Sequence, residues 1–224
     1  MEQAFIAAAE PRNEFDRLTE LRRYDVLDTP PEPAFDLLTD IGAYIFEAPI
    51  CLVSLIDRNR QWFKAKRGMT ATETDRKIAF CSHAILGADV LIVPDATRDP
   101  RFAGNPLVVS APYIRFYAGA PLRTPNALNI GTLCIIDRKP RDLSDEQMKL
   151  LQGLSRLTVD EFELRLKVKQ LQDENHRVRK AQGSAQELAF RLDATKYDLI
   201  SARSSNLWSQ SLSRMIFEPL RGLI

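Results

Sequence analysis

At 224 residues and 25.4 kDa, with 45% apolar residues, the chain has the length for one domain with appendages and enough apolar material for a core of ordinary size. Its 31 lysines and arginines against 30 aspartates and glutamates leave a formal charge of +1, a balance that argues against a dedicated nucleic-acid or anionic-membrane surface. No apolar run approaches the ~20 residues that span a bilayer, and the opening MEQAFIAAAEPRNEFD lacks the basic-then-apolar order of a secretion signal, so a cytoplasmic location is expected.

Residues 1–14 read as a tail. In FDRLTELRRY, Phe15, Leu18 and Leu21 recur at helical spacing and Tyr24 completes the face. Pro30-Pro31 ends that helix, and a second is predicted from Phe35 to Phe46 with Leu38, Ile41 and Ile45 on its face, closed by Pro49. Ile50 to Ile56 is almost continuously apolar, as suits a central strand covered on both faces; Arg58-Asn59 then turns the chain into a second strand, Gln61 to Lys66, with Trp62 and Phe63 on opposite faces.

Beyond Gly68 the polar MTATETDRK leads into FCSHAILG, a short helix or turn ending near Gly87, and then a brief strand from Leu91 to Pro94. Asp95 to Pro112, with its prolines and a DPRF turn, is predicted to be an irregular, lid-like connection, the kind of long loop that usually carries function or mobility. Strands Arg115–Leu122 and Ile130–Ile136, joined by a polar PNALN turn, complete the sheet. Strands in hairpin order with helices before and after them define an α+β fold, an antiparallel central sheet with flanking helices; a doubly wound parallel sheet would need a helix between each pair.

The last third changes character. From the helix-start signal Ser144-Asp145-Glu146-Gln147, apolar residues recur at alternating spacings of three and four. With Leu154 and Leu157 on the seam, the register continues through Glu161, Leu164, Val168, Leu171, Asn175, Val178, Gln182, Ala185, Ala189, Leu192, Lys196 and Leu199. This is a heptad with lapses, and a core Asn such as Asn175 favours a parallel two-stranded coil, so residues 166–224 are expected to form a C-terminal coiled-coil helix in a homodimer. A single solvated helix is the alternative. Gly183 marks a weak point or break, and Leu207, Trp208, Leu212, Ile216 and Leu220 suggest either a partner-docking face or the start of a further domain.

Four segments taken together, VLDTPPEPAFD, ICLVSLIDRNRQWFKAKRG, FCSHAI and the run from Val93 to Pro140, resemble the bacterial GAF domain, a small-molecule-sensing module of signalling proteins, over roughly Phe15 to Arg165. The resemblance implies a GAF/PAS-like domain at 15–165 with a pocket between the sheet and the segments Met69–Leu86 and Asp95–Pro112. Trp62, Phe80, Cys81, His83, Phe116, Tyr117 and Cys134 would lie on or near its walls, and strand alternation allows only one of Phe116 and Tyr117 to face it. Asp95 and Arg115 are the polar residues expected to anchor a ligand, itself unidentified, and the cofactor is unknown.

Cys81 and His83, two residues apart, admit several chemistries. Metal ligation lacks recognisable further ligands, since Asp75 and Asp95 come at no zinc-like spacing, so no metal site is expected. A bilin attachment cysteine next to a histidine occurs in phytochrome-related GAF domains, but the surrounding sequence follows the general pattern instead. His83 could activate Cys81 as a redox thiol. The plain alternative has Cys81 as core and His83 in a structural hydrogen bond, with Cys51, Cys81 and Cys134 all reduced and buried. Cys51, Cys81 and Cys134 also differ in placement from the cysteines of GAF-like methionine sulfoxide reductases. The cyclic-nucleotide signature of other GAF domains, phosphate-cradling loops and serine-nucleophile motifs are missing too, so no catalytic residue is assigned and the chain is expected not to be an enzyme.

The expected mechanism is a sensor that binds a small molecule and shifts the packing of its coil, read by a downstream kinase or cyclase-type output. The alternatives are a ligand-free dimerisation scaffold and a thiol-based redox sensor at Cys81.

Overall fold

A computed structural model describes the backbone of residues 4–217 and the side chains of residues 4–197. Leu199, Leu207, Trp208, Leu212, Ile216 and Leu220, assigned above to the coil and the tail, lie outside the residues whose side chains are described. The chain divides into two compact units, residues 1–167 and 168–224.

In the first unit, helices α1 (Glu14–Arg23) and α2 (Pro33–Ile45) precede strands β1 (Ile50–Ile56), β2 (Arg60–Arg67) and β3 (Glu73–Asp75). A single 3-10 turn at Arg76–Ile78 leads into α3 (Phe80–Ala84), followed by β4 (Leu91–Val93), α4 (Pro106–Val109), β5 (Phe116–Arg123), β6 (Asn129–Asp137) and α5 (Asp145–Phe217). The six strands form one sheet in the order β3-β2-β1-β6-β5-β4, with antiparallel neighbours throughout. Every residue of β1 is buried, as its unbroken apolar run requires of a strand covered on both sides.

One face of the sheet carries α1, α2 and the first turns of α5. Leu18, Leu21, Tyr24, Phe35, Val53, Leu133, Leu154 and Phe162 form its core. Phe162 fixes α5 there, its ring 4.6 Å from Phe35 and 5.6 Å from Tyr24. The start of α5 is a reciprocal capping box: Ser144 N–H donates to Gln147 Oε1 at 3.0 Å and Gln147 N–H to Ser144 Oγ at 3.2 Å. The other face carries α3, α4 and the 95–115 connection over Leu52, Ile56, Phe63, Tyr117 and Cys134.

The predicted face of α1 loses only its first residue, and that of α2 is rotated. Phe15 is 81% exposed, and α1 docks through Leu18, Leu21 and Tyr24; α2 buries Phe35, Thr39, Gly42 and Ala43, while Ile45 is exposed and Leu38 and Ile41 are only half-buried. Gly42 decides the second case, since a Cβ there would press on Cys51 Sγ; the helix approaches the sheet at its smallest residue, leaving Leu38 and Ile41 at the margin of the core and Leu37, Tyr44 and Ile45 exposed. Helix α5 runs through Gly183 without a break. Strand β3 and helix α4 had no clear signal in the sequence, being three and four residues long.

In the second unit the described side chains of α5, residues 168–197, are all exposed within the single chain, with Val168 at 44% and Leu171 at 59% exposure. Coiled-coil pairing is therefore a matter of a second chain. No helix among the described residues is long and apolar enough to cross a membrane.

Candidate functional site

The face beneath α3 gathers four of the nine residues expected at a pocket, Phe80, Cys81, Tyr117 and Cys134. Phe80 stacks on Phe102 with ring centroids 3.9 Å apart and leans on Tyr117 at 5.2 Å. Tyr117 O–H donates to Cys81 Sγ at 3.3 Å, and Cys81 Sγ lies 3.8 Å from Cys134 Sγ. Below them the hydroxyls of Ser54 and Thr132, facing each other across β1 and β6, are 3.0 Å apart. The result is a small island of sulfur and hydroxyl groups inside an apolar layer. Its position follows from pairing: Cys134 sits opposite Leu52 on one side and Gly119 on the other, and Tyr117 lies two residues before that glycine on the same face. A Cβ on Gly119 would overlap the Tyr117 hydroxyl, so glycine at 119 is what lets the ring reach across to Cys81.

The island sets the two thiols apart. Burial disfavours the Cys81 thiolate, yet hydrogen bonding with Cys134, Ser54, Thr132 and Tyr117 outweighs it and draws the Cys81 pKa below the ordinary thiol value. Cys134 moves well up, first through its hydrogen bond with Cys81 and then through burial; burial likewise raises Tyr117. Cys51 is on the helical face, and burial pushes it up to about 12.

Several expectations are corrected here. Trp62 and Phe116 do not belong to this face; both are in the core of the helical face, Phe116 with the Arg141 guanidinium 5.6 Å from its ring, because alternation assigns β5's inward position to Tyr117 and β2's to Phe63. His83 does not act on Cys81. Its Nε2 lies 3.0 Å from the Ile6 carbonyl, which only accepts, so Nε2 carries the proton, and its ring meets Phe102 edge-on at 4.8 Å. Burial lowers its pKa, with Arg101 adding to the effect. Arg115 is a loop brace, donating from Nη1 to the carbonyls of Val108 at 2.9 Å and Ile114 at 3.0 Å. Asp95 closes a local turn by accepting from Thr97 N–H at 3.0 Å and Thr97 Oγ at 2.6 Å.

In this state the site is filled by its own side chains: Phe80, Cys81, Phe102, Tyr117 and Cys134 are each at most 3% exposed. Surface clefts of 810 and 610 Å³ beside α2 and β2 are lined by residues other than these five, among them Asp40, Tyr44 and Arg67, with Trp62 and Lys64 on the smaller one. Among the described residues no group of three or more His, Cys, Asp or Glu side chains is disposed to hold a metal ion.

Of the residues assigned to a dimer coil, Leu154 is instead a core residue of the helical face, 8% exposed. Leu157, Leu164, Val168, Leu171 and Val178 are exposed at 44–59%, as is Asn175. Sequence reasoning missed the clasp on α5 just before the end of the first unit: Arg165 donates to Glu32 and to the carbonyls of Tyr24 and Asp25, and Glu163 accepts from Tyr24 O–H at 2.6 Å and Arg23 at 2.7 Å. Lys64, its head fully buried, joins the same cluster by donating to Thr29, Pro30 and Glu32. A charged residue in an otherwise buried strand was the only available signal.

Comparison with known proteins places this geometry. A family model described as the GAF domain matches residues 30–159. A cyclic di-GMP phosphodiesterase of Pseudomonas aeruginosa is 41% identical over 150 residues, which is 66% of this chain but only 26% of that protein's length. Among solved structures, the GAF domain of an Acinetobacter phosphoenolpyruvate-protein phosphotransferase has a TM-score of 0.51 at 15% identity, covering 69% of this chain and 98% of its own. A free methionine-R-sulfoxide reductase from Neisseria meningitidis, in complex with its substrate, has a TM-score of 0.51 at 14% identity, covering 74% and 99%. The expectation that the chain is not an enzyme is therefore corrected: the fold houses a reductase in one neighbour, and the curated relative is a phosphodiesterase, so absence of familiar motifs does not exclude catalysis. With the model matched over more than half of its length and the six-stranded antiparallel sheet in place, the chain belongs to the GAF domain family.

Proposed function

We propose that this chain is the sensory module of a longer signalling protein, paired through α5 as a parallel homodimer, whose output is a phosphodiesterase acting on cyclic di-GMP. The observation that carries the relay is the double character of α5. Leu151, Leu154, Val159, Phe162 and Leu166 bury one side of it in the helical core, while Leu150, Leu157, Leu164, Leu171 and Val178 recur as exposed apolar residues at seven-residue spacing, a repeat that passes through Ala185 to Leu192. A helix apolar on a second face needs a second partner, and a seven-residue repeat suits an identical helix. The phosphodiesterase relative supports that output over the kinase or cyclase type.

The ligand is a small molecule that enters by opening α3 and the 95–115 connection, because the space is otherwise occupied by Phe80 and Phe102. Light scattering tests the pairing: the wild type is expected to be a dimer, and Leu164→Glu with Leu171→Glu a folded monomer. Joined to a cyclic di-GMP phosphodiesterase domain, the same double variant is expected to change its hydrolysis rate severalfold; a monomeric wild type, or an unchanged rate, overturns the relay. The closed face favours a second reading, a ligand-free dimerisation scaffold, which a retained small molecule in native mass spectra would exclude.

A further inference from the structure

The paired thiols under α3 are unused by the relay described above, which needs only the packing of that face. They differ from a chance pair of core cysteines in three ways. Their sulfurs are 3.8 Å apart and come from different elements, α3 and β6, so one can move against the other. They are ringed by hydroxyl donors from Tyr117, Ser54 and Thr132, where an apolar core would have carbon. The third cysteine, Cys51, is on the opposite face of the sheet and has no such donors.

We propose that Cys81 and Cys134 form a reversible intramolecular disulfide on exposure to a hydroperoxide, making the α3 face a redox-sensitive modification site. With hydrogen peroxide as oxidant, Cys81 sulfur attacks one peroxide oxygen, the O–O bond breaks, and the departing hydroxide takes the thiol proton, leaving a sulfenic acid and one water. Cys134 sulfur then attacks Cys81 sulfur, the S–O bond breaks, and the sulfenic hydroxyl leaves with the Cys134 proton as a second water. Two thiols lose two electrons and two protons in all, and one peroxide becomes two waters. The Tyr117 and hydroxyl donors favour the Cys81 thiolate as attacker, while Cys134, whose thiolate is disfavoured beside Cys81 and by burial, keeps its proton until the second step.

Access comes through α3 itself. The segment is a five-residue helix without a strand ladder, packed through Phe80 on Phe102 and tied at its two flanks by side-chain hydrogen bonds: Asn105 to the Ile78 carbonyl at 2.9 Å, and Asn129 to the carbonyls of Ile85 at 3.0 Å and Gly87 at 2.7 Å. Elements tied in this way open locally at less cost than the sheet beneath them. Closing the sulfurs from 3.8 Å to the ~2.0 Å of a disulfide draws α3 onto β6 and displaces Phe80 from Phe102. The switch requires neither the dimer nor a phosphodiesterase, so it fails or stands independently of them.

The test uses the reduced full chain with hydrogen peroxide, followed by alkylation in denaturant and peptide mass mapping. The expected result is loss of two of the three thiols, a Cys81–Cys134 linked peptide within a single chain, Cys51 alkylated, and full reversal by dithiothreitol. Cys134→Ser is expected to stop at a Cys81 sulfenic acid captured by dimedone. Retention of all three thiols at peroxide doses that oxidise the methionines, or a crosslink through Cys51 or between chains, overturns the proposal. The wild-type map suffices even where the variant does not fold.

Discussion

The two faces of the sheet are built from the same six strands and held in different ways. On the helical face long helices lay continuous apolar stripes on the strands, and the one cysteine there is a plain core residue. On the α3 face two helices of five and four residues and a long connection, with scattered backbone and side-chain hydrogen bonds in place of long helical stripes, pack over a polar island. One face is suited to stay put while the other opens. The start of α5 is fixed to the helical face, so under the proposed relay detection and transmission would fall on opposite sides of a single layer of backbone.

The sharpest way to break that comparison is to damage both sides and ask how far each injury spreads. Phe162→Ala, which removes the ring between Phe35 and Tyr24, is expected to cost about 3–5 kcal/mol in urea unfolding and to loosen α1, α2 and α5 together. Phe102→Ala, on the other face, should cost about 2–4 kcal/mol, because a connection can collapse into the space more readily than a sheet can. Its amide exchange should accelerate in residues 80–84 and 95–115 while the helical face is unchanged; uniform acceleration would mean the faces are not separable.

Acid probes the joint between the faces. Glu14 on α1 accepts from Arg17 and from Arg76, the residue that opens the turn into α3. Burial works against its carboxylate, but the two guanidiniums win and hold its pKa at about 2. A carboxyl depressed in the folded state contributes stability above its ordinary value near 4.5 and loses it as pH falls toward 2. The wild type should therefore lose about 1–2 kcal/mol from this site across that interval, and Glu14→Gln should flatten that part of the curve. The smallest effect belongs to Tyr117→Phe, which removes one O–H donor to Cys81 for about 1 kcal/mol and should move the alkylation of Cys81 to higher pH, leaving Cys51 unaffected.

Much of this molecule is legible without coordinates. Apolar runs such as Ile50–Ile56 and the strong punctuation at Pro30-Pro31, Pro49 and Gly68 fix the elements and their order, and hairpin order alone requires an antiparallel sheet. Side-chain alternation likewise restricts the site to one of Phe116 and Tyr117. Lone hydroxyls within otherwise apolar central strands, Ser54 in ICLVSLI and Thr132 in IGTLCIID, were a further available signal for the island, since a buried hydroxyl needs a partner.

What the sequence could not supply is every choice made by docking. Which of Trp62 and Phe63 faces the island depends on the register of β2 against β1, which shifts at Val53 and Ser54. The face α2 presents depends on where Gly42 permits close approach, and the role of Leu154 on whether α5 meets a sheet or a sister helix first. Periodicity in a chain is a local property and determines that a stripe exists. What covers the stripe is a long-range property, decided where residues dozens of positions apart meet, as Cys81 of α3 and Cys134 of β6 do.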